Sequence, residues 1–453
     1  MIPLLKKELY RYNSIWLSLN NQVLNSIFML VKDNNASIKA IALEDKYGAH
    51  NYHPLPVVLN KGDGVFVWDV DGKKYYDFLS AYSAVNQGHC HPRIINRLME
   101  QASTLTLTSR AFYNDQLGIY EKFVTDFFGF DKVLPMNTGA EAVETAIKLC
   151  RKFAYEKKGI PENKATIIVC ENNFHGRTTT IISFSNDETA RKNFGPYTPG
   201  FKTIPYDDTA ALKAAIKADK NVAGFLVEPI QGEAGVYVPS EGYLKKAKEI
   251  CAQNDILFIA DEVQTGIART GRLLATCGNC DCADKNCSGT PEVKPDILIL
   301  GKALSGGVYP VSAVLANNDI MEVIKPGQHG STFGGNPIAS AVAMEALKVV
   351  KDEHLAENAE RLGRIFRKEL SEFAKGNELV SAVRGKGLLN AILINDTEDS
   401  STAWDICMKL KDNGLLAKPT HGNIIRFAPP LIMTEVQIRE CIEIIKDTIS
   451  SMN

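Results

Sequence analysis

Three apolar stretches of the sequence each run into an ionisable residue: Glu228, Asp261 or Lys302. The stretches are AGFLVEP (223–229), ILFIADE (256–262) and DILILGK (296–302). A charged group beside an apolar segment loses much of its hydration unless it is paired or used. Ligands of open α/β sheets bind at the carboxyl ends of the strands. The three residues therefore predict one active site at a common sheet edge.

Lys302 indicates the chemistry of that site. Gly301 precedes it and Ala-Leu-Ser-Gly-Gly follows it. A partly buried lysine has a lowered pKa and becomes nucleophilic toward carbonyl groups. This is what a Schiff base with pyridoxal phosphate requires.

Pyridoxal phosphate needs three further groups from a protein. An acid must hold the proton on the pyridine nitrogen, and Asp261 is the candidate. The segment Asn137–Ala140 leads into a predicted helix, whose first N–H groups favour an anion such as the phosphate. Phe174, just past a strand end, is a candidate to cover the ring. A glycine turn alone is usually only a turn, so the combination carries the prediction.

The composition limits the alternatives. The 453 residues include 51 Lys and Arg against 53 Asp and Glu, so no basic excess indicates nucleic-acid binding. Apolar residues make up 45%, which is typical of globular proteins. No apolar run reaches the roughly 20 residues of a membrane-spanning helix. We expect neither nucleic acid nor a membrane as a partner.

The stretches that carry the site alternate with amphipathic helical segments. Continuous Val, Ile and Leu runs are typical of parallel strands covered by helices on both faces. The segment VFVWDVDGKKYYDFLS predicts two short strands around a turn at Asp71-Gly72. We predict an α/β fold with four parts: an N-terminal extension (1–35), a segment that packs with the small domain (36–82), a large cofactor-binding domain (83–340) and a small C-terminal α/β domain (341–453).

Motifs throughout the chain resemble those of the class III, fold-type I pyridoxal-phosphate aminotransferases. The matching segments, which span 47 to about 431, include VLPMNTGAEA, NFHGRT, VEPIQGEAGV, FIADEVQTGIARTGR, LGKALSGGVYPVSAVL and HGSTFGGNP. NYHPLP, SAYSAVNQGHCHP and LLAKPTHGNIIRFAPP are similar to the members that act on ornithine. The resemblance implies a large domain with a mixed, mostly parallel sheet and a smaller α/β domain.

The resemblance also implies roles for the cofactor-site residues. Lys302 would form the Schiff base and shuttle protons, and Asp261 would contact the pyridine nitrogen. The other implied cofactor contacts are Gln264 at the ring hydroxyl, Phe174 on the ring face, Gly139 and Ala140 at the phosphate, and Ser331 and Thr332 at the phosphate of a second subunit. Shared sites imply a homodimer or a higher homo-oligomer.

The implied substrates are L-ornithine and 2-oxoglutarate. Tyr52 and Arg177 would hold the α-groups of ornithine, so that its δ-amine meets the cofactor. Arg426 would grip the α-carboxylate of glutamate or 2-oxoglutarate, because a guanidinium binds a carboxylate bidentately. Glu233 would neutralise Arg426 while ornithine is bound, and Tyr82 would line the pocket. The products would be glutamate and glutamate 5-semialdehyde, which cyclises to pyrroline-5-carboxylate.

Other functions remain open at this point. Acetylornithine and 4-aminobutyrate aminotransferases share the chemistry, but Tyr52, Tyr82 and the LLAKPTHG segment count against them. Glutamate-1-semialdehyde aminomutase shares the lysine but needs no external keto acid. A metal or redox sensor on an inactive transferase is a non-catalytic alternative, against which the retained charged residues count.

Two features depart from the family pattern. Cys277, Cys280, Cys282 and Cys287 lie in an insertion (277–290), where a thiolate metal site, a labile disulfide and an inert loop are all open. Residues 1–35 are basic and poor in acids, as organellar transit peptides are, although an extension without a targeting role is equally compatible. The location is accordingly the mitochondrial matrix or the cytoplasm. The remaining six cysteines, Cys90 among them, are predicted to be buried.

Overall fold

The computed structural model describes residues 36–277 and 293–452. The extension 1–35 and Cys280, Cys282 and Cys287 therefore lie outside the described residues. The chain divides into two compact units. One contains the residues up to Asn60 with Trp68–Lys73, and the other contains Lys61–Val67 with the residues from Lys74 onward. The predicted domain boundaries at 82/83 and 340/341 stay predictions.

The first described element of the first unit is the helix Ala36–Tyr47. The Ser37 hydroxyl donates a hydrogen bond of 2.5 Å to Asp71, which ties the start of this helix to the turn that follows the strand Phe66–Asp69. The Gly72 amide donates to the Asp69 carbonyl at 3.0 Å. One strand ends at Asp69 before this turn, and the next begins at Lys74 after it. The predicted turn at Asp71-Gly72 is thus confirmed.

The strands form three sheets. Their bounds are β1 Leu59–Asp63, β2 Phe66–Asp69, β3 Lys74–Asp77, β4 Lys132–Met136, β5 Thr166–Cys170, β6 Phe201–Ile204, β7 Val222–Val227, β8 Leu257–Asp261, β9 Ile297–Leu300, β10 Ser312–Ala316, β11 Val380–Lys386, β12 Leu389–Ile394, β13 Leu415–Leu416, β14 Lys418–Thr420 and β15 Ile424–Phe427. The sheets run β1-β2-β3-β13, β4-β10-β9-β8-β7-β5-β6 and β11-β12-β15-β14.

The helices cover and connect these sheets. Besides Ala36–Tyr47 they are Pro92–Thr104, Leu117–Phe128, Gly139–Lys157, Thr179–Ile182, Glu188–Arg191, Thr209–Ala218, Tyr243–Gln253, Asn318–Met321, Pro337–Asp352, Leu355–Ala374, Thr402–Asp412 and Glu435–Ser450, with 3-10 turns at Ala275–Cys277 and Lys302–Ser305. Ser80–Ser83 forms a left-handed turn with positive φ at all four residues. Among the described residues, no helix combines the length and apolarity needed to cross a bilayer.

The seven-stranded sheet positions the candidate site. Strands β6, β5, β7, β8 and β9 are mutually parallel, and β10 is antiparallel to both β9 and β4. Every residue of β7, β8 and β9 is buried, because helices cover both faces of the sheet. The parallel strands predicted from the aliphatic runs are confirmed, as is the mixed, mostly parallel sheet that the resemblance implies.

The smaller sheet β11-β12-β15-β14 is antiparallel and carries Arg426 on β15. The predicted helical pattern after about 340 corresponds to Pro337–Asp352, most of which is buried. Thr434 and Gln437 form a capping box that begins the last helix. The prediction that all six single cysteines are buried is wrong for Cys90, which is exposed at a residue with a φ of 53°.

Candidate active site

The three strand-end residues meet at one edge of the sheet. Glu228 directly follows β7, Asp261 ends β8, and Lys302 lies two residues after β9. Because these strands are adjacent and parallel, their carboxyl ends open on the same side. All three residues line one cavity of about 180 Å³. The predicted convergence at a common edge is therefore confirmed.

Lys302 occupies a strained position in the wall of this cavity. Its φ is +44°, a left-handed conformation that is costly for a residue with a Cβ and that concentrates at functional sites. Desolvation lowers the pKa of the Lys302 ammonium, and the guanidinium of Arg426 acts in the same direction, whereas the carboxylate of Glu233 opposes both. The lysine is thereby biased toward the neutral, nucleophilic amine.

Asp261 is held from two sides. His175 contacts it through Nδ1 at 2.6 Å, and the Val263 amide donates to its other oxygen at 3.0 Å. Burial alone would lower the pKa of the His175 imidazole, but the hydrogen bond to Asp261 and the charges of Asp261 and Glu228 raise it. The imidazole can therefore carry a proton beside a carboxylate whose orientation is fixed.

The helix Gly139–Lys157 begins at the cavity. The Thr138 hydroxyl accepts the Glu141 amide at 3.2 Å, and the Glu141 carboxylate accepts the amides of Asn137 and Thr138 at 2.9 and 3.0 Å. The first-turn amides of Gly139 and Ala140, which have no acceptor within the helix, then remain for a ligand. A Cβ at Gly139 would lie 2.9 Å from Val263. This helix start fits an anionic group such as a phosphate.

Gln264 links the two halves of the cavity. Its side-chain amide donates to Glu233 at 3.1 Å and to the Tyr82 carbonyl at 3.5 Å. A Cβ at Gly232 would lie 1.4 Å from the Gln264 Oε1 atom, so only glycine is compatible with this arrangement. The Gln264 side chain thus packs directly against the backbone of Gly232, and a side chain at position 232 would block this contact.

Arg426 and Glu233 form an ion pair at 2.7 Å. Burial would raise the pKa of the Glu233 carboxyl, but Arg426 and Lys302 lower it overall, so the carboxylate stays ionised. Arg426 is only 2% exposed, and its guanidinium carbon lies 5.3 Å from the centroid of the Tyr82 ring. Asp77 accepts the amides of Leu79 and Ser80 at 2.8 and 2.9 Å and so fixes the left-handed turn that carries Tyr82.

The structure brings most of the predicted site residues together. Those that line the cavity are Gly139, Ala140, Phe174, Glu233, Asp261, Gln264 and Lys302. Arg177 lies beside it on the exposed side, with its guanidinium carbon 5.8 Å from the centroid of Phe174.

Three predicted residues lie elsewhere. Ser331 accepts a hydrogen bond of 2.7 Å from Asn137, and Thr332 is exposed; neither lines the cavity. Tyr52 belongs to the first compact unit and is exposed there. Their roles stay predictions that one chain does not test.

Sequence reasoning assigned no role to His175, although it lines the cavity and contacts Asp261. The signal was present, because NFHGRT directly follows an apolar run as the other site motifs do. Within the described residues, no group of three or more His, Cys, Asp or Glu is arranged to hold a metal ion. Of the four clustered cysteines only Cys277 is described, so that hypothesis is not tested.

Comparisons with known proteins agree with this geometry. The family model "Aminotransferase class-III" matches residues 47–449. A mitochondrial ornithine aminotransferase from Drosophila ananassae is 63% identical over 411 residues, covering 91% of each chain.

Two solved structures are similar over nearly the whole chain. An acetylornithine aminotransferase from Elizabethkingia anophelis has a TM-score of 0.83 and 63% identity, covering 92% of this chain and 100% of that one. The ornithine aminotransferase from Toxoplasma gondii has a TM-score of 0.87 and 50% identity, covering 94% and 98%.

Proposed function

The chain belongs to the class III aminotransferase family, a fold-type I family that depends on pyridoxal phosphate, and we propose that it transfers the δ-amino group of L-ornithine to 2-oxoglutarate. The products would be glutamate and glutamate 5-semialdehyde, which cyclises to pyrroline-5-carboxylate. This reaction would connect arginine and ornithine to glutamate and proline.

The observation that carries this proposal is the ion pair between Arg426 and Glu233, of which Glu233 lines the cavity. One pocket must accept a diamino acid and then a dicarboxylate. An unpaired guanidinium would bind the dicarboxylate but repel the ornithine ammonium. With Glu233 bound to it, Arg426 is neutralised for ornithine; with Glu233 moved away, it is free to bind a carboxylate bidentately.

The cavity residues fit pyridoxal phosphate. Asp261 would hold the proton on the ring nitrogen, Gln264 would bond the ring hydroxyl, and Phe174 would cover one face. The free amides of Gly139 and Ala140 would bind the phosphate. When bound, the cofactor supplies an aldehyde that accepts the amino group and a ring that withdraws electrons from the reacting carbon.

Lys302 would have two tasks in this scheme. Its amine, with the lowered pKa described above, would hold the cofactor through the aldehyde group. Its Nζ atom would also take a proton from the δ-carbon of bound ornithine. Arg177 and Tyr52 would hold the α-carboxylate and α-amino group of ornithine. The length of the ornithine side chain would then place its δ-carbon at the cofactor.

A half-reaction tests the substrate. The protein with bound cofactor is mixed separately with L-ornithine, N-acetylornithine and 4-aminobutyrate, and the loss of long-wavelength absorbance is followed. We expect L-ornithine to react fastest and the second half-reaction to require 2-oxoglutarate. Turnover without a keto acid would instead indicate an aminomutase.

The second candidate is N-acetylornithine, which the name of the Elizabethkingia anophelis relative favours. N-acetylornithine has no free α-ammonium, so a site built for it needs no polar partner for that group. Tyr52→Phe separates the two substrates. The substitution should weaken binding of ornithine and leave N-acetylornithine unaffected if ornithine is the physiological substrate.

We also propose a homodimer with shared sites. Leu105, Phe112, Tyr113 and Phe333 are exposed apolar residues, and Phe333 adjoins Thr332. A Lys302→Ala chain and a Ser331→Ala/Thr332→Ala chain, each inactive alone, should regain activity when mixed, since a mixed dimer would keep one intact site. Independent monomers would not complement.

A mitochondrial location is proposed from the names of relatives such as the rat and Drosophila proteins and from the basic, acid-poor residues 1–35. Fusion of residues 1–35 to a fluorescent protein tests it. Import into mitochondria would support the proposal, and a cytoplasmic signal would contradict it.

A further inference from the structure

Glu228 is a buried carboxylate to which the reaction scheme above assigns no task. It is 7% exposed and accepts the Phe174 backbone amide at 2.6 Å. The Tyr206 hydroxyl donates to the carbonyls of Glu228 and Pro229 at 3.2 and 2.9 Å, so the turn after β7 is fixed. The carboxylate is thus aimed at the loop that carries Phe174.

The same loop connects Glu228 to Asp261. Residue 174 is held by Glu228, and the next residue, His175, contacts Asp261 through Nδ1 at 2.6 Å. Asn173 donates to the carbonyls of Cys170 and Phe184, which makes this loop rigid. The Nε2 atom of His175 is buried and has no hydrogen-bond partner among the described residues.

The charges around His175 depend on Glu228. Burial raises the pKa of Glu228 to about 7, although His175 opposes this, so the group is largely ionised at pH 8. The carboxylates of Glu228 and Asp261 together with an imidazolium at His175 have a net charge of about −1. A cationic cofactor ring beside Asp261 requires such a negative net charge. Without the Glu228 charge, only one carboxylate would favour the imidazolium, and we expect His175 to lose its proton. The titratable groups that interact with Glu228 are His175, Asp261, Glu233, Lys302, Tyr206 and Cys170.

We propose that Glu228 is a positioning residue for the transamination: it holds Phe174 by its backbone amide and supplies the counter-charge that keeps His175 cationic, so that Asp261 keeps its negative charge for the cofactor ring nitrogen. This inference rests on the proposed function, because the charge is proposed to assist the transamination. It gives a task to Glu228, which the sequence places at the same sheet edge as Asp261 and Lys302.

Glu228→Gln separates charge from position, because the amide oxygen still accepts the Phe174 N–H while the charge is lost. The protonation of His175 is read from side-chain nitrogen shifts in holoenzyme labelled with ¹⁵N-histidine; the chain has eight histidines, and His175→Gln assigns the signal. We expect an imidazolium at pH 8 in the parent and a neutral ring in Glu228→Gln. The pH midpoint of the cofactor absorbance should fall by about one unit.

Two controls isolate the charge. Glu262→Gln alters an equally buried carboxylate, which accepts the amides of Ala275 and Thr276 and does not line the cavity. It should lower thermal stability and leave the His175 signal unchanged. Tyr206→Phe loosens the Glu228 turn without removing charge and should likewise leave His175 cationic.

The proposal is overturned if Glu228→Gln keeps both the imidazolium signal and the parental pH midpoint. If that variant folds poorly, Glu228→Asp answers the same question, because it keeps the charge and must keep His175 cationic. A neutral ring in Glu228→Asp would equally refute it. Both readouts are made without an amino-acid substrate, so a failure of ornithine to react would refute the proposed function and leave this inference intact.

Discussion

Two groups of site residues are positioned differently. In the first group, the proposed cofactor wall, Asp261 and Lys302 stand at strand ends whose positions are set by a buried parallel sheet. In the second group, the proposed substrate wall beside the cavity, Tyr82 lies on a left-handed turn, Arg426 comes from a second sheet, and Arg177 is exposed. The first wall is part of the core and rigid by packing, whereas the second is assembled from separate segments. The proposed chemistry thus lies on the buried sheet, and the proposed substrate contacts lie on separate segments.

Removal of the lysine tests the rigid wall most severely. Lys302→Ala should abolish the long-wavelength absorbance and reduce turnover by at least ~10⁴-fold, because both the covalent attachment and the proton transfer are lost. Absorbance and steady-state turnover are measured on the same sample. Retention of turnover would show that the strand-end wall does not carry the chemistry.

Arg426→Gln tests the adjustable wall. A buried, charge-assisted carboxylate contact contributes about 1.5–3 kcal/mol, so kcat/KM for 2-oxoglutarate should fall ~10- to 100-fold. The ornithine half-reaction should fall less, because Glu233 neutralises this arginine when ornithine is bound.

Arg384→Gln is the matched control for that substitution. Arg384 lies in the same sheet and donates to the Gly235 carbonyl at 2.7 Å. The control should leave the ratio of the two half-reactions unchanged. An equal loss of both half-reactions in Arg426→Gln would contradict a switching role for the Arg426–Glu233 pair.

The link between the walls is tested by Gly232→Ala. The added Cβ would lie 1.4 Å from the Gln264 Oε1 atom, so the glutamine must leave its contacts with Glu233 and Tyr82. We expect a loss of about 1–3 kcal/mol in the free energy of unfolding and weaker cofactor binding. Calorimetry and cofactor titration measure both effects.

Gly118→Ala provides the comparison for this substitution. No atom lies within 4 Å of a Cβ at Gly118, an exposed residue in the helix Leu117–Phe128. Its effect on stability should stay within ~1 kcal/mol. If Gly232→Ala and Gly118→Ala had equal stability and equal cofactor affinity, the close contact between Gly232 and Gln264 would not constrain the site.

The difference between the walls also explains what the sequence could predict. Glu228, Asp261 and Lys302 were found from aliphatic runs, because a buried parallel strand has a strong pattern and its end has a fixed direction. The turn at Asp71-Gly72 is predicted from the Asp-Gly pair itself, which favours a tight turn. Both predictions depend only on residues that are close in sequence.

The substrate wall could not be predicted in this way. The left-handed turn at Tyr82 contains no glycine among its four residues, so no propensity signals it. The pairing of Arg426 with Glu233 joins residues 193 positions apart. These contacts came only from resemblance, since nothing in the local pattern fixes which segments converge.

The smallest expected effect is a pH dependence of stability within the rigid wall. The pKa of Glu228 is about 7 in the folded protein, against about 4.3 for an unperturbed carboxyl. A carboxyl with a raised folded-state pKa stabilises the protein while protonated, so this contribution is complete below about pH 4.3 and is lost as the pH rises through 7. His175 has a raised pKa and acts in the same direction. The unfolding free energy should therefore decline by about 1–3 kcal/mol between pH 5 and 8.

Urea unfolding of the parent and of Glu228→Gln at equal cofactor concentration measures this dependence. The variant should show a shallower decline, because its amide does not titrate, while Glu322→Gln at an exposed carboxyl should follow the parent. A decline of equal steepness in Glu228→Gln would place the titrating group elsewhere.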